Sequence, residues 1–101
     1  SMYQGAKAAV ENFTRVWAIE LAGDGVRVNA IAPGAIRTDI WNVPGLTEEQ
    51  NAEHEKAITS GVPFKRFGRP EEVGTIALFL ASDDSSYVSG SVYAVDGAMG
   101  A

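Results

Sequence analysis

The sequence predicts an α/β fold of about three helices and two strands. Three observations carry this reading. A long helical repeat near the start leads through a glycine turn into a short β-branched run. A second such run lies near the end, and the residues between them hold two further helical stretches. Helices alternating with short strands, rather than strands joined by tight hairpins, indicate a parallel sheet.

The first helix is expected from about Tyr3 to Ala22. Ala6, Val10, Phe13, Trp17 and Leu21 recur at steps of three and four, which places them on one stripe. Glu11 stands one turn before Arg15, the orientation that slightly favours a helix. Gly23-Asp24-Gly25 supplies the loosely constrained positions that end helices. Val26 to Ala32 reads as a strand, bounded by glycine before and by Pro33-Gly34 after. Residues 35–46 show no clear period and read as a loop. Thr47 and Gln50 have the spacing of a capping box, which starts a largely polar surface helix running to about Ser60. A third helix begins near Pro70, with proline suited to the first turn and Glu71-Glu72 near the positive end of the dipole. Val73, Ile76, Ala77 and Leu80 give it an apolar stripe. Ser82 to Ser86 forms a polar turn, Ser91 to Val95 a second strand, and Asp96-Gly97 the turn that ends it.

Two strands separated by helices cannot by themselves make a well-covered parallel sheet. The expectation is therefore that residues 1–101 are the end of a larger α/β domain, and a Ser1-Met2 beginning agrees with this. The 46% hydrophobic and 21% charged composition is that of a globular chain, not a disordered one. A net charge of −5, with the basic residues scattered, argues against nucleic acid or an anionic membrane surface as partner. No apolar run is long enough to cross a bilayer, and the start lacks the pattern of a signal peptide. The absence of cysteine removes disulfides, thiolate metal sites and a thiol nucleophile, and fits a cytoplasmic protein.

Tyr3 and Lys7 are one helical turn apart, a step of four residues that rotates by roughly 40° about the axis. Tyr3 falls beside the apolar stripe and Lys7 at its polar margin, a position suited to the wall of a cleft. A free phenol has a pKa of about 10, too high for proton transfer near neutrality. A neighbouring ammonium favours the phenolate and lowers that pKa, and it can donate to the hydroxyls of a ligand. The same two residues also suit an ordinary surface helix, with Lys7 in an ion pair to Glu11 one turn on. His54 lies among Glu53, Glu55 and Lys56 on a polar helix and reads as solvated, and nothing near it has metal-ligand spacing. No metal site is expected.

Four stretches, taken in order, resemble the C-terminal part of the short-chain dehydrogenase/reductase family. They are Tyr3-Gln4-Gly5-Ala6-Lys7-Ala8-Ala9-Val10, Arg27 to Thr38, Gly68-Arg69-Pro70-Glu71-Glu72-Val73, and Tyr87-Val88-Ser89-Gly90 with the later Val95-Asp96-Gly97. The similarity spans nearly the whole chain, and each motif is weak alone but specific in sequence with the others. It implies the C-terminal part of a Rossmann-like doubly wound sheet, in a single NAD(P)-binding domain. It also implies hydride transfer between NAD or NADP and a small alcohol or carbonyl substrate. By that resemblance Tyr3 is the acid/base, while Lys7 lowers its pKa and binds the nicotinamide ribose. Pro33, Gly34, Ala35, Ile36 and Thr38 form the loop against the nicotinamide. A Pro-Gly turn at the C-terminal end of a strand is also where open α/β sheets bind ligands.

Residues 39–62 occupy the place of the family's substrate-covering segment, where Ile40 and Trp41 would line an apolar pocket. Trp41 equally suits a core or subunit contact. The family's Gly-rich nucleotide loop, its cofactor-selecting residue and its catalytic serine lie before Tyr3 and are not among these 101 residues. The chain alone is accordingly expected to be inactive. Ala98 stands where the family often has a second glycine, a change expected to touch only the local backbone. The family also implies a homo-oligomer, a dimer or tetramer. Phe13, Trp17, Phe79 and Tyr93 are candidate aromatic anchors, and a noncatalytic association module is the alternative reading. A third is a relative that uses the Tyr-Lys pair for epimerisation or dehydration.

Overall fold

The computed structural model describes residues 2–38 and 43–101, with side chains from residue 4 onward. Helix α1 spans Met2–Leu21, β1 Ala30–Pro33, α2 Glu48–Thr59, α3 Pro70–Ala81 and β2 Val92–Val95. The strands form a two-stranded sheet. Ala30 N–H donates to Ser91 O at 2.9 Å and Gly34 N–H to Val95 O at 3.0 Å, a constant offset that makes them parallel. The expected α/β class and element order are therefore present. The chain divides into two compact units, Ser1–Ala32 with Gly74–Tyr93 and Pro33–Val73 with Ala94–Ala101.

In the first unit α1 ends as the glycines require. A 3-10 turn, Ala22–Asp24, follows it, and Gly25 closes the turn at φ 72° with its N–H on Ala22 O. The face of α1 that is buried differs from the expected stripe. Thr14 and Ala18 are buried, whereas Val10, Phe13 and Trp17 are 45%, 53% and 51% exposed. Phe13 and Trp17 stack on each other at 5.6 Å instead. Small residues win the buried face because backbone comes close there: a Cβ on Gly90 would lie 3.4 Å from that of Ala18. The helical period fixes which residues share a stripe but not which stripe faces protein.

The first strand is shorter than the predicted Val26–Ala32, and the reason is chemical. Over residues 28–29 side chains take up part of the bonding between the two segments. Asn29 donates through Nδ2 to Val88 O and accepts from Ser91 N–H, and Ser89 Oγ accepts from Val28 N–H. Beside them Arg27 gathers the turn after α3. Its guanidinium donates to Ser85 Oγ and Leu80 O at 3.0 Å each, and to Val88 O and Ser82 O at 3.3 Å. Ser85 is fully buried, and Asp83–Ser85 forms the 3-10 turn that the polar run predicts.

The second unit keeps its buried apolar side chains at Val62 and Phe67. Helix α2 starts with the expected capping box: Thr47 Oγ1 accepts from Gln50 N–H, and Gln50 Oε1 accepts from Thr47 N–H. No residue of α2 is fully buried, and Ile58 is its one half-buried aliphatic side chain. Helix α3 is shared between the two units, with Gly74 onward in the first; along it Val73, Ile76 and Leu80 are half-buried, while Ala77 of the predicted stripe is exposed. Asp96 ends β2 as a turn, its carboxylate accepting from Ala98 N–H and Gly100 N–H. Ala98 has φ 71°, so alanine occupies the left-handed position here.

Candidate functional site

In the first unit Tyr3 and Lys7 both lie on α1, one turn apart, in the helical register that brings two side chains to one face. The Tyr3 side chain lies outside the described residues, as do Ile40 and Trp41. Lys7 is half-buried and makes no ion pair among the described residues. Glu11, the alternative partner for Lys7, instead meets Arg15 at 3.9 Å. Further along the helix Thr14 and Ala18 are buried, and the Thr14 hydroxyl donates to Val10 O one turn back at 2.6 Å.

In the second unit the predicted loop, Pro33 to Thr38, leaves β1 as one continuous stretch. Gly34 is required by a close approach: a Cβ there would lie 2.6 Å from Asp96 Cβ and 2.9 Å from its Cα. Two residues on, Ile36 forms a parallel bridge with Gly68. Gly68 N–H donates to Ala35 O at 2.9 Å, and Arg37 N–H donates to Gly68 O at 2.8 Å. The loop is therefore held at both ends by backbone bonds. Gly34, Ala35 and Ile36 are half-buried, while Pro33 and Thr38 are exposed. A cavity of about 280 Å³ opens beside Ala35 and Ile36, with Phe64, Arg66, Glu72 and Asp96 on its wall. That volume is at the small end for a ligand pocket and suits a ring-sized group.

Charge around this loop is organised in pairs that the sequence analysis does not single out. The Arg37 guanidinium meets both carboxylate oxygens of Glu55 on α2 and lies 4.7 Å from the centre of the Phe67 ring. Arg66 donates to both oxygens of Glu72, at 2.8 and 3.1 Å, and Arg69 N–H adds a third bond at 3.0 Å. The hydrogen bonds from Arg66 lower the Glu72 carboxyl to about 2, with the Arg69 N–H contributing next. The Arg37 hydrogen bonds lower Glu55 in the same way. Arg37 and Glu55 are 18 residues apart, and no local period announces them. The only advance signal is an arginine beside the loop and an acidic helix after it.

His54 is exposed on α2, and no group of metal-ligating side chains occurs among the described residues. Among the same residues no helix is long and apolar enough to cross a membrane.

Comparison with known proteins follows the same outline. The family model described as enoyl-(acyl carrier protein) reductase matches residues 1–99. The 3-oxoacyl-[acyl-carrier-protein] reductase FabG of Thermotoga maritima is 46% identical over 97 residues, covering 96% of this chain and 37% of that protein. Glucose 1-dehydrogenase of Gluconobacter oxydans is 41% identical over 97 residues, covering 96% of this chain and 35% of that protein. The solved structure of YwfH, described as an NADPH dependent reductase involved in bacilysin biosynthesis, superposes with a TM-score of 0.73 at 38% identity. It covers 89% of this chain and 36% of that one. The chain thus spans a little over a third of the length of the relatives it matches. On this evidence the chain belongs to the short-chain dehydrogenase/reductase family of oxidoreductases, whose C-terminal portion it matches.

Proposed function

We propose that the protein carrying this chain interconverts an alcohol and a carbonyl with NAD or NADP, and that residues 1–101 are the C-terminal part of its single Rossmann-like domain. The observation that carries the reading is the unbroken helix α1 through Tyr3 and Lys7, in a chain whose relatives are named as reductases and dehydrogenases. Each unit by itself offers a feature that suits the cofactor: in the first, Lys7 meets no carboxylate among the described residues, and in the second, Thr38 is exposed and a cavity of about 280 Å³ lies beside Ala35 and Ile36.

In this reading a bound nicotinamide supplies or accepts the hydride. Tyr3 holds or takes the proton at the substrate oxygen. Lys7 favours the phenolate by its charge and donates to the ribose hydroxyls. Pro33, Gly34, Ala35 and Ile36 orient the nicotinamide ring, and Thr38 donates or accepts at its carboxamide. Ile40 and Trp41 would line the substrate pocket. The Gly-rich nucleotide loop and the catalytic serine are supplied by residues other than these 101, so the chain alone is inactive. A homo-oligomeric parent is part of this reading by the family resemblance.

The test removes only the phenol oxygen. With Tyr3→Phe in the protein that carries this sequence, turnover followed by nicotinamide absorbance should nearly vanish while cofactor affinity holds. An unchanged rate removes Tyr3 from the mechanism.

A further inference from the structure

Helix α2 presents a physical question. It is capped well at its start, yet it buries no residue, and its sequence is polar through most of its length. A helix whose apolar contact is limited to a half-buried Ile58 gains from other ties to keep its position. One of those ties reaches directly into the loop of residues 33–38.

We propose that Arg37 is a positioning residue: through Glu55 it fastens α2 to the loop that leaves β1, with Phe67 as the platform that orients its guanidinium. Three observations converge on this assignment. The Arg37 backbone is fixed, because its N–H donates to Gly68 O at 2.8 Å. The guanidinium lies over the ring of Phe67, which is only 5% exposed and so holds one orientation. Both terminal nitrogens then meet Glu55, with Nη1 donating to Oε2 at 3.1 Å and Nη2 to Oε1. An isolated exposed ion pair contributes little, because two long side chains must be ordered for a screened attraction. Here much of that ordering is already done by the ring and the backbone bond. The planar fork can stack and bind two oxygens at once, which a lysine ammonium cannot do.

The consequence rests on the function proposed above, in which this loop meets the cofactor and α2 belongs to the substrate-covering segment. Fastening α2 to the loop would couple substrate capture to the part of the protein that holds the nicotinamide. Arg37 touches neither reacting group, so its loss should raise the KM for the carbonyl substrate and leave kcat largely intact.

The experiment is a double-mutant cycle of Arg37→Gln and Glu55→Gln in the protein that carries this sequence, read first by amide hydrogen exchange over residues 48–59. Each single variant should exchange in α2 about tenfold faster, and the double variant no faster than either single. Arg37→Lys should exchange faster than the unaltered protein, since one ammonium cannot replace the fork. Unchanged α2 exchange in both singles overturns the assignment. So does simple addition of the two effects, which would mean that the residues act independently. Steady-state kinetics supplies the second reading: KM should rise several-fold at near-constant kcat. A kcat that falls with KM unchanged contradicts a positioning role. If the unaltered protein shows no nicotinamide-dependent turnover, the proposed function fails, and the exchange cycle alone still decides the tie.

Discussion

The two compact units hold themselves together by different chemistry. In the first, Arg27 spends its guanidinium on neutral acceptors: the Ser85 hydroxyl and the carbonyls of Leu80, Ser82 and Val88. In the second, Arg37 and Arg66 each bind a carboxylate with two contacts. The backbones differ in the same sense. Left-handed positions described in the first unit are glycines, Gly25 and Gly90, whereas the second also places Lys65 and Ala98 there at φ 59° and 71°. Such residues carry strain of about 1 kcal/mol or more each. The central tie of the first unit, at Arg27, thus holds no carboxylate, and its left-handed turns are glycines that cost little. The second concentrates charge and strain around the loop proposed to meet the cofactor.

Removing the Arg27 side chain should break this contrast most severely. Arg27→Met retains much of the apolar stem but deletes four hydrogen bonds around the turn at Ser85. Because Leu80 O and Ser82 O keep Ser85 Oγ as a neighbour, the expected loss is about 2 kcal/mol rather than the sum of four bonds. Urea denaturation of the protein carrying the chain would measure it. A change under about 0.5 kcal/mol, the size of an ordinary surface substitution, would mean that the turn is held by other means.

The strain in the second unit can be relieved directly. Ala98→Gly should raise stability by about 0.5–1 kcal/mol, because glycine occupies φ 71° without a Cβ penalty. The gain is partly offset by the greater freedom of glycine in the unfolded chain. Thermal denaturation would show a higher midpoint. A lower one would show that Ala98 makes contacts worth more than its strain.

The smallest effect concerns protons. Glu72 titrates near 2 in the folded protein, against 4.5 for a free glutamate, chiefly because Arg66 donates to its carboxylate. A carboxyl lowered by folding contributes stability that is fully present above its unfolded pKa. That contribution is lost as pH falls from about 4.5 through about 2. Glu55 is lowered too, so both ties of the second unit weaken in acid while the Arg27 cluster, which has no carboxylate, does not. Carbon-13 titration of the Glu72 carboxyl should give the low midpoint, and Arg66→Gln should return it toward the ordinary range. An ordinary midpoint in the unaltered protein would deny the pairing.

These differences also mark what could be read from sequence. The helices α1, α2 and α3 were legible because their signals are local: the steps of three and four, the Thr47 and Gln50 capping box, and Pro70 before two glutamates. The loop at Pro33-Gly34 was legible as a turn at a strand end, and as part of a familiar series of motifs. The exposed stripe of Val10, Phe13 and Trp17 was not legible, because periodicity does not say which face meets protein. The shortening of β1 was not legible either, since it depends on Asn29 bonding to residues about sixty positions away. Arg27 and Arg37 belong to the same class: each finds its partners only through the fold.

The central claim is the pairing of Tyr3 and Lys7 as a proton-transfer centre, and one variant tests it most directly. For Tyr3→Phe in the protein that carries this sequence, kcat should fall by about 10²- to 10⁴-fold, the range of a lost general acid/base. The dissociation constant of the cofactor, measured by fluorescence titration, should change little. A kcat within about twofold of the unaltered protein would contradict the account, because so small a change is far below the worth of a general acid/base.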